Sequence, residues 1–427
     1  MSRDLDLVLY GATGFSGRPA VGYLDRRAAE LGIRWAVCGR NEAALRALVA
    51  RTSSAPAVLV ADARDAEALS QLAARTRVVA SFVGPHAPLG DLLPAACVRA
   101  GTNYVDLCGE QDVIAARIAD LHGPASAAKV KVIPACGYES VPFDLSVLAL
   151  DNAFEVADGS RLAAVDVTVT FVLHRGPLRS GHGTSGGTFA TVIRSATEVP
   201  HLTDPFGLTG DGSVDPQLRA ANAVDLSARR TASGTWLAPT LPDPFLNPAV
   251  IQRTNALLSE GPAGGYASGF VYREAANVSA IVGSDAMAGI AARATSALMR
   301  RLAAISTGRR SVGDRLTLRG LRAVSPGPGK GPSPASLDAV DYRLDLAARS
   351  TSERRAAATL RGQGNPGYRS SPNILAEAAI AIAHDDRLPD RYGVLTPATG
   401  LGLPLIDHFP AAGLQLEVEG VTDVAAA

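Results

Sequence analysis

Charged side chains are scarce in this sequence, and neither sign outnumbers the other. Only 19% of the 427 residues are charged, with 41 basic and 41 acidic side chains. A chain without net charge is not built to neutralise a phosphate backbone, so we expect no nucleic-acid partner. Because 47% of the residues are hydrophobic, the chain should form well-buried cores, and its length predicts two or three domains.

Cysteine and long apolar runs are rare as well. The cysteines lie far apart, with no C-x-x-C pair and no histidine at a spacing suited to zinc, so we expect no metal site and a reducing, cytoplasmic compartment. No apolar run reaches the roughly 18 residues of a membrane-spanning helix. We expect no secretion signal, because the first apolar run is itself a strand. Peripheral contact with the inner face of a membrane is left open.

The sequence does have a glycine loop directly after its first apolar strand. The strand Leu5 to Tyr10 leads into G-A-T-G-F-S-G and then into a helical pattern. Glycines spaced G-x-x-G-x-x-G turn the chain sharply, let a pyrophosphate approach the backbone, and begin a helix whose N–H groups face the phosphate. An ordinary strand-to-helix turn is the alternative, but the strand and helix that follow favour a dinucleotide site. We expect cofactor contacts from Gly11, Thr13, Gly14, Phe15 and Gly17.

The end of the second strand discriminates between the two nicotinamide cofactors. An acidic residue there holds the ribose hydroxyls of NAD, whereas an arginine suits the 2′-phosphate of NADP. Arg40 occupies this position, so the sequence predicts NADP; a solvated arginine that opens the next helix is the alternative. Asp62 follows the third strand, and it is predicted either to touch the adenine or to cap the next helix.

Strands alternate with helices over about the first 150 residues, which predicts a doubly wound parallel sheet, the Rossmann fold. Ligands of such sheets bind beyond the carboxyl ends of the strands. Gly84 and Pro85 follow the fourth strand and should lie beside the nicotinamide ribose. His86 comes next, as a proton donor or as an ordinary polar loop residue. Glu110 follows the fifth strand, where it could act in catalysis or cap a helix.

The pattern changes from about Leu162, where a long β-branched strand begins a second, α+β domain. A polar loop from Arg179 to Thr188 then precedes a helix. This loop could hold an anionic or carbonyl group of a substrate, or it could be a simple connection.

A series of motifs occurs in order over nearly the whole chain, and together they are similar to those of a known enzyme family. They read GATGFSG, CGR, SFVGPHAPLG, GTNYVDLCGE, ACGYESVPFDL, SGGT, NPGYRSSPNILAEAAIAIA and GVLTPATGLG. Together they resemble the saccharopine dehydrogenase-like oxidoreductases, and most closely the actinobacterial trans-acting enoyl reductases. The stretch Gly137-Tyr138-Glu139-Ser140 departs from the Gly-Phe-Asp-Ser that is usual in the family, which bears on the geometry of the substrate site.

This resemblance implies an N-terminal Rossmann domain, a second α+β domain and a C-terminal segment that packs back on the first domain. We accordingly predict an NADP-binding domain at 1–155, a substrate or dimerisation domain at 156–370, and a helical C-terminal segment at 371–427.

The resemblance also implies an activity: NADPH-dependent reduction of a C=C bond on a polyketide or fatty-acyl intermediate of lipid biosynthesis. The substrate would be an acyl group or acyl thioester on a carrier or synthase, and a homodimer is left open. Such a reduction needs a proton as well as a hydride. Tyr138 is the first candidate donor and Glu110 the second, with simple packing as the alternative for the phenol.

Two other functions remain open at this point. A saccharopine-type amino-acid dehydrogenase would need cationic groups for the substrate carboxylates, which Arg175, Arg179 and Arg253 could supply. A non-catalytic nucleotide-binding scaffold would keep the Rossmann domain without a proton donor.

Overall fold

The computed structural model describes residues 3–89, 91–174, 186–199, 202–210, 214–262, 264–306, 311–324 and 331–423. Two compact units divide the chain. Met1–Val141 and Gly367–Gly413 form the first unit, whereas Pro142–Pro366 and Leu414–Ala427 form the second. The first unit is therefore built from two separate stretches of chain. The domain limits at 155/156 and 370/371 stay predictions.

The N-terminal part of the first unit alternates strands with helices, as the sequence pattern predicts. Asn41 and Asp65 cap two of the helices with their side chains. In chain order the elements are β1 (Leu5–Tyr10), α1 (Gly17–Leu31), β2 (Trp35–Gly39), α2 (Glu42–Val49), β3 (Ala57–Val60), α3 (Ala66–Ala74), β4 (Thr76–Ser81), α4 (Leu92–Ala100), β5 (Asn103–Asp106), α5 (Gln111–Ala127) and β6 (Lys131–Ile133).

The chain then runs through the second unit, where helices and long strands replace the regular alternation. Its elements are α6 (Val141–Asp158), β7 (Leu162–Leu173), α7 (Gly186–Glu198), α8 (Pro216–Ala221), β8 (Arg229–Arg230), β9 (Trp236–Ala238), α9 (Leu246–Ser259), β10 (Val271–Asn277), α10 (Asp285–Ser306), α11 (Val312–Val324), α12 (Pro334–Leu337), β11 (Val340–Ser350) and β12 (Arg355–Gly362).

The C-terminal stretch returns to the first unit before it ends in the second. A π-helical turn at Pro366–Ser370 leads into a helix that is buried over almost its whole length, in agreement with its apolar sequence. The remaining elements are α13 (Ser371–His384), β13 (Gly393–Val394), α14 (Pro397–Leu401), a 3₁₀ helix (Leu403–His408), α15 (Phe409–Ala412) and β14 (Leu414–Val418).

All strands of the first sheet are parallel, in the order β13-β6-β5-β4-β1-β2-β3. The predicted doubly wound sheet is thereby confirmed. Chain order reverses between β1 and β4, and the central residue Leu7 lies opposite both Trp35 and Val78. Such a reversal is the topological switch point at which these sheets bind nucleotides.

The second sheet is mixed, in the order β14-β12-β11-β7-β10-β9-β8. Strand β7 pairs in parallel with β10 and antiparallel with β11, so the second domain is α+β as predicted. The last strand, β14, pairs antiparallel with β12 of the second unit. Within the described residues, no helix combines the length and apolarity needed to cross a bilayer.

Candidate active site

The glycine loop between β1 and α1 has no room for side chains at either end. Gly11 has φ +86°, and a Cβ there would lie 2.7 Å from Val83 Cγ2. A Cβ on Gly17 would collide with the carbonyl oxygen of Gly11. The N–H of Gly14 donates to that same oxygen at 2.9 Å, and Gly14 itself is exposed. The loop therefore presents bare backbone at the carboxyl end of β1.

The surroundings of this loop suit a diphosphate. Ser16 precedes α1 without capping it through its side chain, so the first turn keeps the partial positive charge that attracts anions. The carbonyl of Thr13 accepts a hydrogen bond from Arg18 Nε at 3.0 Å. The ring of Phe15 meets Tyr368 edge-on, with 5.2 Å between the ring centroids. The chain thus has the cradle that a dinucleotide requires, and Tyr368 steadies its tip.

Arg40 and Asp62 lie together at the adjacent strand ends. Both side chains are exposed. Burial raises the pKa of the Tyr10 phenol, Asp62 raises it further and Arg40 lowers it, which places both charges near the same ring. The cap of α3 is Asp65 and not Asp62, whose carboxylate accepts from the N–H of Arg64 instead. The helix-cap alternative for Asp62 was therefore wrong.

The loop after β4 is held by a buried carboxylate. Gly84 and Pro85 are joined by a cis peptide bond, and the N–H groups of the next two residues donate to Glu110, His86 at 2.6 Å and Ala87 at 3.2 Å. Glu110 is only 1% exposed, and although it occupies the N-cap position of α5, its side chain makes no cap hydrogen bond there. The observed contacts of Glu110 are those of a residue that positions the Gly84–His86 loop.

A second buried carboxylate, Asp106 at the end of β5, forms the centre of a charged network. Arg117 Nη1 donates to it at 2.9 Å, and Nη2 of the same guanidinium pairs with Asp91 at 2.7 Å. Tyr104 Oη donates to the same carboxylate at 2.9 Å, and His86 Nδ1 lies 3.6 Å away. Burial opposes ionisation of Asp106, but Arg117 and His86 lower its pKa below the usual 3.8. Asp106 is therefore a buried anion that Arg117 neutralises.

This network also bears on the prediction that no metal is bound. Ligand atoms of His86, Asp106 and Cys108 lie within 4.8 Å of one another, a grouping that could hold a cation. Asp106 is already paired with Arg117, so a cation there would meet a guanidinium. Burial and the neighbouring Asp106 raise the pKa of the Cys108 thiol, which opposes the thiolate form that binds metal.

The loop after β6 brings a third carboxyl group to the same edge of the sheet. The N–H of Tyr138 donates to Ser371 Oγ at 3.0 Å, and that hydroxyl donates to Glu139 Oε2 at 3.1 Å. Tyr138 and Glu139 are both partly exposed, whereas Ser371 is buried. Burial raises the pKa of Glu139 to about 7, against the hydrogen bonds that lower it.

Sequence reasoning selected Tyr138 from this loop and passed over Glu139. The signal was available, because Glu139 also follows a strand of the sheet, which is the criterion that selected Glu110. The partner Ser371 could not be found in this way, since it comes from a helix 232 residues further along the chain. The structure brings Glu110, Tyr138 and His86 to the same edge of the sheet, at the ends of β5, β6 and β4.

Three arginines of the second unit were suggested as substrate-binding residues, and the structure describes one of them. Arg175 and Arg179 lie outside the described residues, as does most of the Arg179 to Thr188 loop. Arg253 is buried in α9 and donates to the carbonyl of Leu208 at 2.8 Å. Burial lowers the pKa of Arg253 to about 10. This hydrogen bond links α9 to the segment that contains Leu208 within the second unit.

Comparison with known proteins identifies a nucleotide-binding domain in the N-terminal part of the chain. Residues 7–133 match the family model of the saccharopine dehydrogenase NADP binding domain. The fold of the chain is also similar to that of saccharopine dehydrogenase (L-Glu forming) from Saccharomyces cerevisiae, with a TM-score of 0.50 at 13% identity over 97% of this chain and 100% of the other.

Relatives of known name extend the similarity to the full length. The trans-acting enoyl reductase of Mycobacterium ulcerans is 32% identical over 96% of this chain and 97% of its own. The trans-acting enoyl reductase of Mycobacterium tuberculosis H37Rv is 33% identical over 97% of each chain. The protein belongs to the trans-acting enoyl reductase family, carries a saccharopine dehydrogenase-type NADP-binding domain, and is an NADP-dependent oxidoreductase.

Proposed function

We propose that this protein reduces the C=C bond of an α,β-unsaturated acyl thioester, carried by a small-molecule or protein carrier, at the expense of NADPH. The observation that carries the proposal is the full-length similarity to relatives named trans-acting enoyl reductases. The geometry is compatible with it, since bare backbone at β1 and partly exposed acid and phenol groups after β6 share one edge of the sheet.

In this proposal the nucleotide lies across the switch point of the first sheet. The backbone at Gly11, Gly14 and Gly17 holds the pyrophosphate, with Thr13 and Phe15 beside it. Arg40 pairs with the 2′-phosphate and Asp62 approaches the adenine. Gly84 and Pro85 line the nicotinamide half. When bound, NADPH supplies the hydride that the β-carbon of the substrate gains.

The predicted proton donors stay proposals with different support. Tyr138 is partly exposed after β6 and its backbone N–H donates to Ser371, which is compatible with a proton donor at this position. Glu110 has both carboxylate oxygens engaged by backbone N–H groups and is almost fully buried. These contacts suit a residue that shapes the nicotinamide loop better than one that delivers a proton.

A saccharopine-type amino-acid dehydrogenase remains an alternative with less support. Its substrate carries several carboxylates and requires clustered cations. Within the described residues, Arg253 is the member of the suggested set that can be placed, and it is buried against a main-chain carbonyl.

The first test compares NADPH and NADH binding by fluorescence titration for the wild type and for Arg40→Ala. Loss of a charge-assisted contact of about 1.5–3 kcal/mol should weaken NADPH binding by roughly 10- to 100-fold and leave NADH binding almost unchanged. Arg51→Ala is the matched control, because Arg51 is exposed just beyond the far end of α2. Equal affinity of the wild type for both cofactors would contradict the assignment of Arg40.

The second test measures NADPH oxidation with 2-enoyl thioesters of increasing chain length. The competing assay measures NADP reduction with saccharopine, a secondary amine formed from lysine and glutamate. Turnover of enoyl thioesters alone supports the proposal. Turnover of the amino acid alone would refute it.

A further inference from the structure

We propose that Glu139 is the group that protonates the substrate and that Ser371 positions it. This inference deepens the proposed function and rests on it. Neither residue is among the predicted proton donors. Glu139 directly follows Tyr138, the first candidate donor, in the sequence. Four features of the first unit support the proposal: position, space, hydrogen bonding and charge.

The position of Glu139 is on the nicotinamide side of the sheet. In the strand order, β4, β5 and β6 lie on one side of the switch point, and β2 and β3 lie on the other. The adenine half of a dinucleotide occupies the side with β2 and Arg40, so the reactive half extends over β4 and beyond. Glu139 follows β6 and remains partly exposed, which an acid that meets a substrate requires.

Gly137 leaves space for the carboxyl group of Glu139 because it has no side chain. A Cβ on Gly137 would collide with Glu139 Oε2, and it would lie 2.5 Å from Leu107 Cδ2 and 3.0 Å from Ser371 Oγ. The glycine therefore admits the carboxyl group of Glu139 into a position bounded by β5 and α13. A glutamate that served only as a solvated loop residue would need no such allowance.

Hydrogen bonds from Ser371 and from its own backbone N–H hold the carboxyl group of Glu139, and the Ser371 bond identifies Oε2 as an acceptor. The Ser371 hydroxyl accepts from the N–H of Tyr138 and donates to Glu139 Oε2. With Oε2 acting as an acceptor, a proton on the neutral carboxyl group belongs on Oε1. Ser371 is the first residue of the buried helix α13, so the donor that fixes this arrangement is itself rigidly held.

The charges around Glu139 favour its neutral form. Asp106 from β5 is an anion and acts on it, and the Cys136 thiol lies on the same loop. Arg117, the cation of this edge, is committed to Asp106 and Asp91. Among the described residues, no cationic side chain forms an ion pair with Glu139. A carboxyl group with a pKa of about 7 carries a proton in half of the molecules at neutral pH, which is the best compromise for a general acid.

Proton transfer to the α-carbon completes the reduction that hydride addition to the β-carbon begins. As the β-carbon gains hydride, the π electron pair of the C=C bond moves to the α-carbon and is delocalised into the thioester carbonyl. The O–H bond of Glu139 breaks, its electron pair stays on the carboxylate, and a C–H bond forms at the α-carbon. The carboxylate then takes a proton from solvent to restore the starting state.

The test measures kcat against pH for the wild type, Glu139→Gln, Ser371→Ala and Glu67→Gln. The wild type should lose kcat as pH rises through about 7. Glu139→Gln should lower kcat by roughly 10²- to 10⁴-fold and abolish this alkaline limb. Ser371→Ala should move the limb to higher pH, because the hydroxyl lowers the pKa of Glu139. Glu67→Gln makes the same chemical change at an exposed residue of α3, and this variant should behave as wild type.

A readout that does not depend on turnover accompanies these rates. Infrared difference titration of the protein alone should show a carboxylic acid signal that titrates near pH 7, to which both Glu139 and buried Glu274 contribute. This signal should be reduced in Glu139→Gln and further lost when Glu274→Gln is added. The NADPH affinity of Glu139→Gln should stay within about twofold of the wild type. If the wild type binds NADPH but turns over no enoyl thioester, the proposed function fails and the proton transfer fails with it. If the wild type is active and Glu139→Gln keeps full kcat and the alkaline limb, only the assignment of Glu139 is overturned.

Discussion

Replacement of Arg117 by methionine should destabilise the protein more than most single substitutions. The guanidinium is 1% exposed and binds two carboxylates, of which Asp106 is fully buried. Methionine fills a similar volume but removes the guanidinium that neutralises the charge of buried Asp106. Breaking a buried ion pair in this way costs about 3–5 kcal/mol, a large part of the roughly 5–15 kcal/mol by which native proteins are stable.

Urea unfolding followed by circular dichroism at pH 7 measures this cost. In thermal unfolding, the same loss of 3–5 kcal/mol lowers the Tm of a unit of this size by about 6–20 °C. The surface pair between Arg46 and Glu42 supplies the control, since Arg46→Ala removes a guanidinium from a solvent-exposed i,i+4 pair that is worth less than about 0.5 kcal/mol.

The dependence of this effect on pH provides the sharper check. The pKa of Asp106 lies below 3.8 in the wild type, so Asp106 contributes stability that is present at neutral pH and is lost only as pH falls through that low pKa. Without Arg117, burial raises the pKa of Asp106 and the carboxyl group becomes neutral in mildly acidic solution. The difference between wild type and Arg117→Met should therefore shrink from pH 7 to pH 5. A cost below about 1 kcal/mol at pH 7, or a difference independent of pH, would refute this account of the network.

Two further predictions concern the nucleotide loop and the C-terminal segment. Gly17→Ala should weaken NADPH binding more than tenfold in a fluorescence titration, because its Cβ collides with the carbonyl oxygen of Gly11, whereas Gly22→Ala on the same helix has open space, should bind NADPH normally and should be more stable by about 0.5–1 kcal/mol. His408 lies 2.8 Å from Glu377, whose hydrogen bond raises the histidine pKa above 6.5. This pair contributes stability that is full below pH 6.5 and is lost as pH rises through the raised pKa. Urea unfolding should accordingly show His408→Gln less stable than wild type at pH 6 and almost equal to it at pH 9; an equal deficit at both pH values would exclude the charged pair.

Local patterns were sufficient to predict much of the first unit. The strand Leu5–Tyr10 and the glycine loop after it are encoded by residues adjacent in sequence, because hydrophobic runs and glycine spacing act over a few residues. The same is true of the parallel alternation and of the polar residues at strand ends. The ordered motifs added the family, which the full-length relatives confirm.

The roles of the polar residues at those strand ends depend on distant parts of the chain. Glu110 was selected as a site residue, but its partners are the N–H groups of His86 and Ala87 on another loop. Glu139 was passed over, and the serine that binds it belongs to α13. Polar residues at strand ends indicate where a functional site can lie. The tertiary contacts determine which of their carboxyl groups are occupied by backbone hydrogen bonds and which can reach a substrate.

Residues adjacent in sequence were enough to predict the nucleotide fold and the glycine loop, because both depend on short-range stereochemistry. The predicted cofactor, NADP, is confirmed by the family model, whereas the contact of Arg40 with the 2′-phosphate stays a prediction. The tertiary structure decided the burial of the Asp106–Arg117 pair, the placement of β13 and β14 in different sheets, and the setting that raises the pKa of Glu139. These features depend on desolvation and on contacts between separate elements, such as that of Ser371 with Glu139 across 232 residues, and neither has a signature in local sequence.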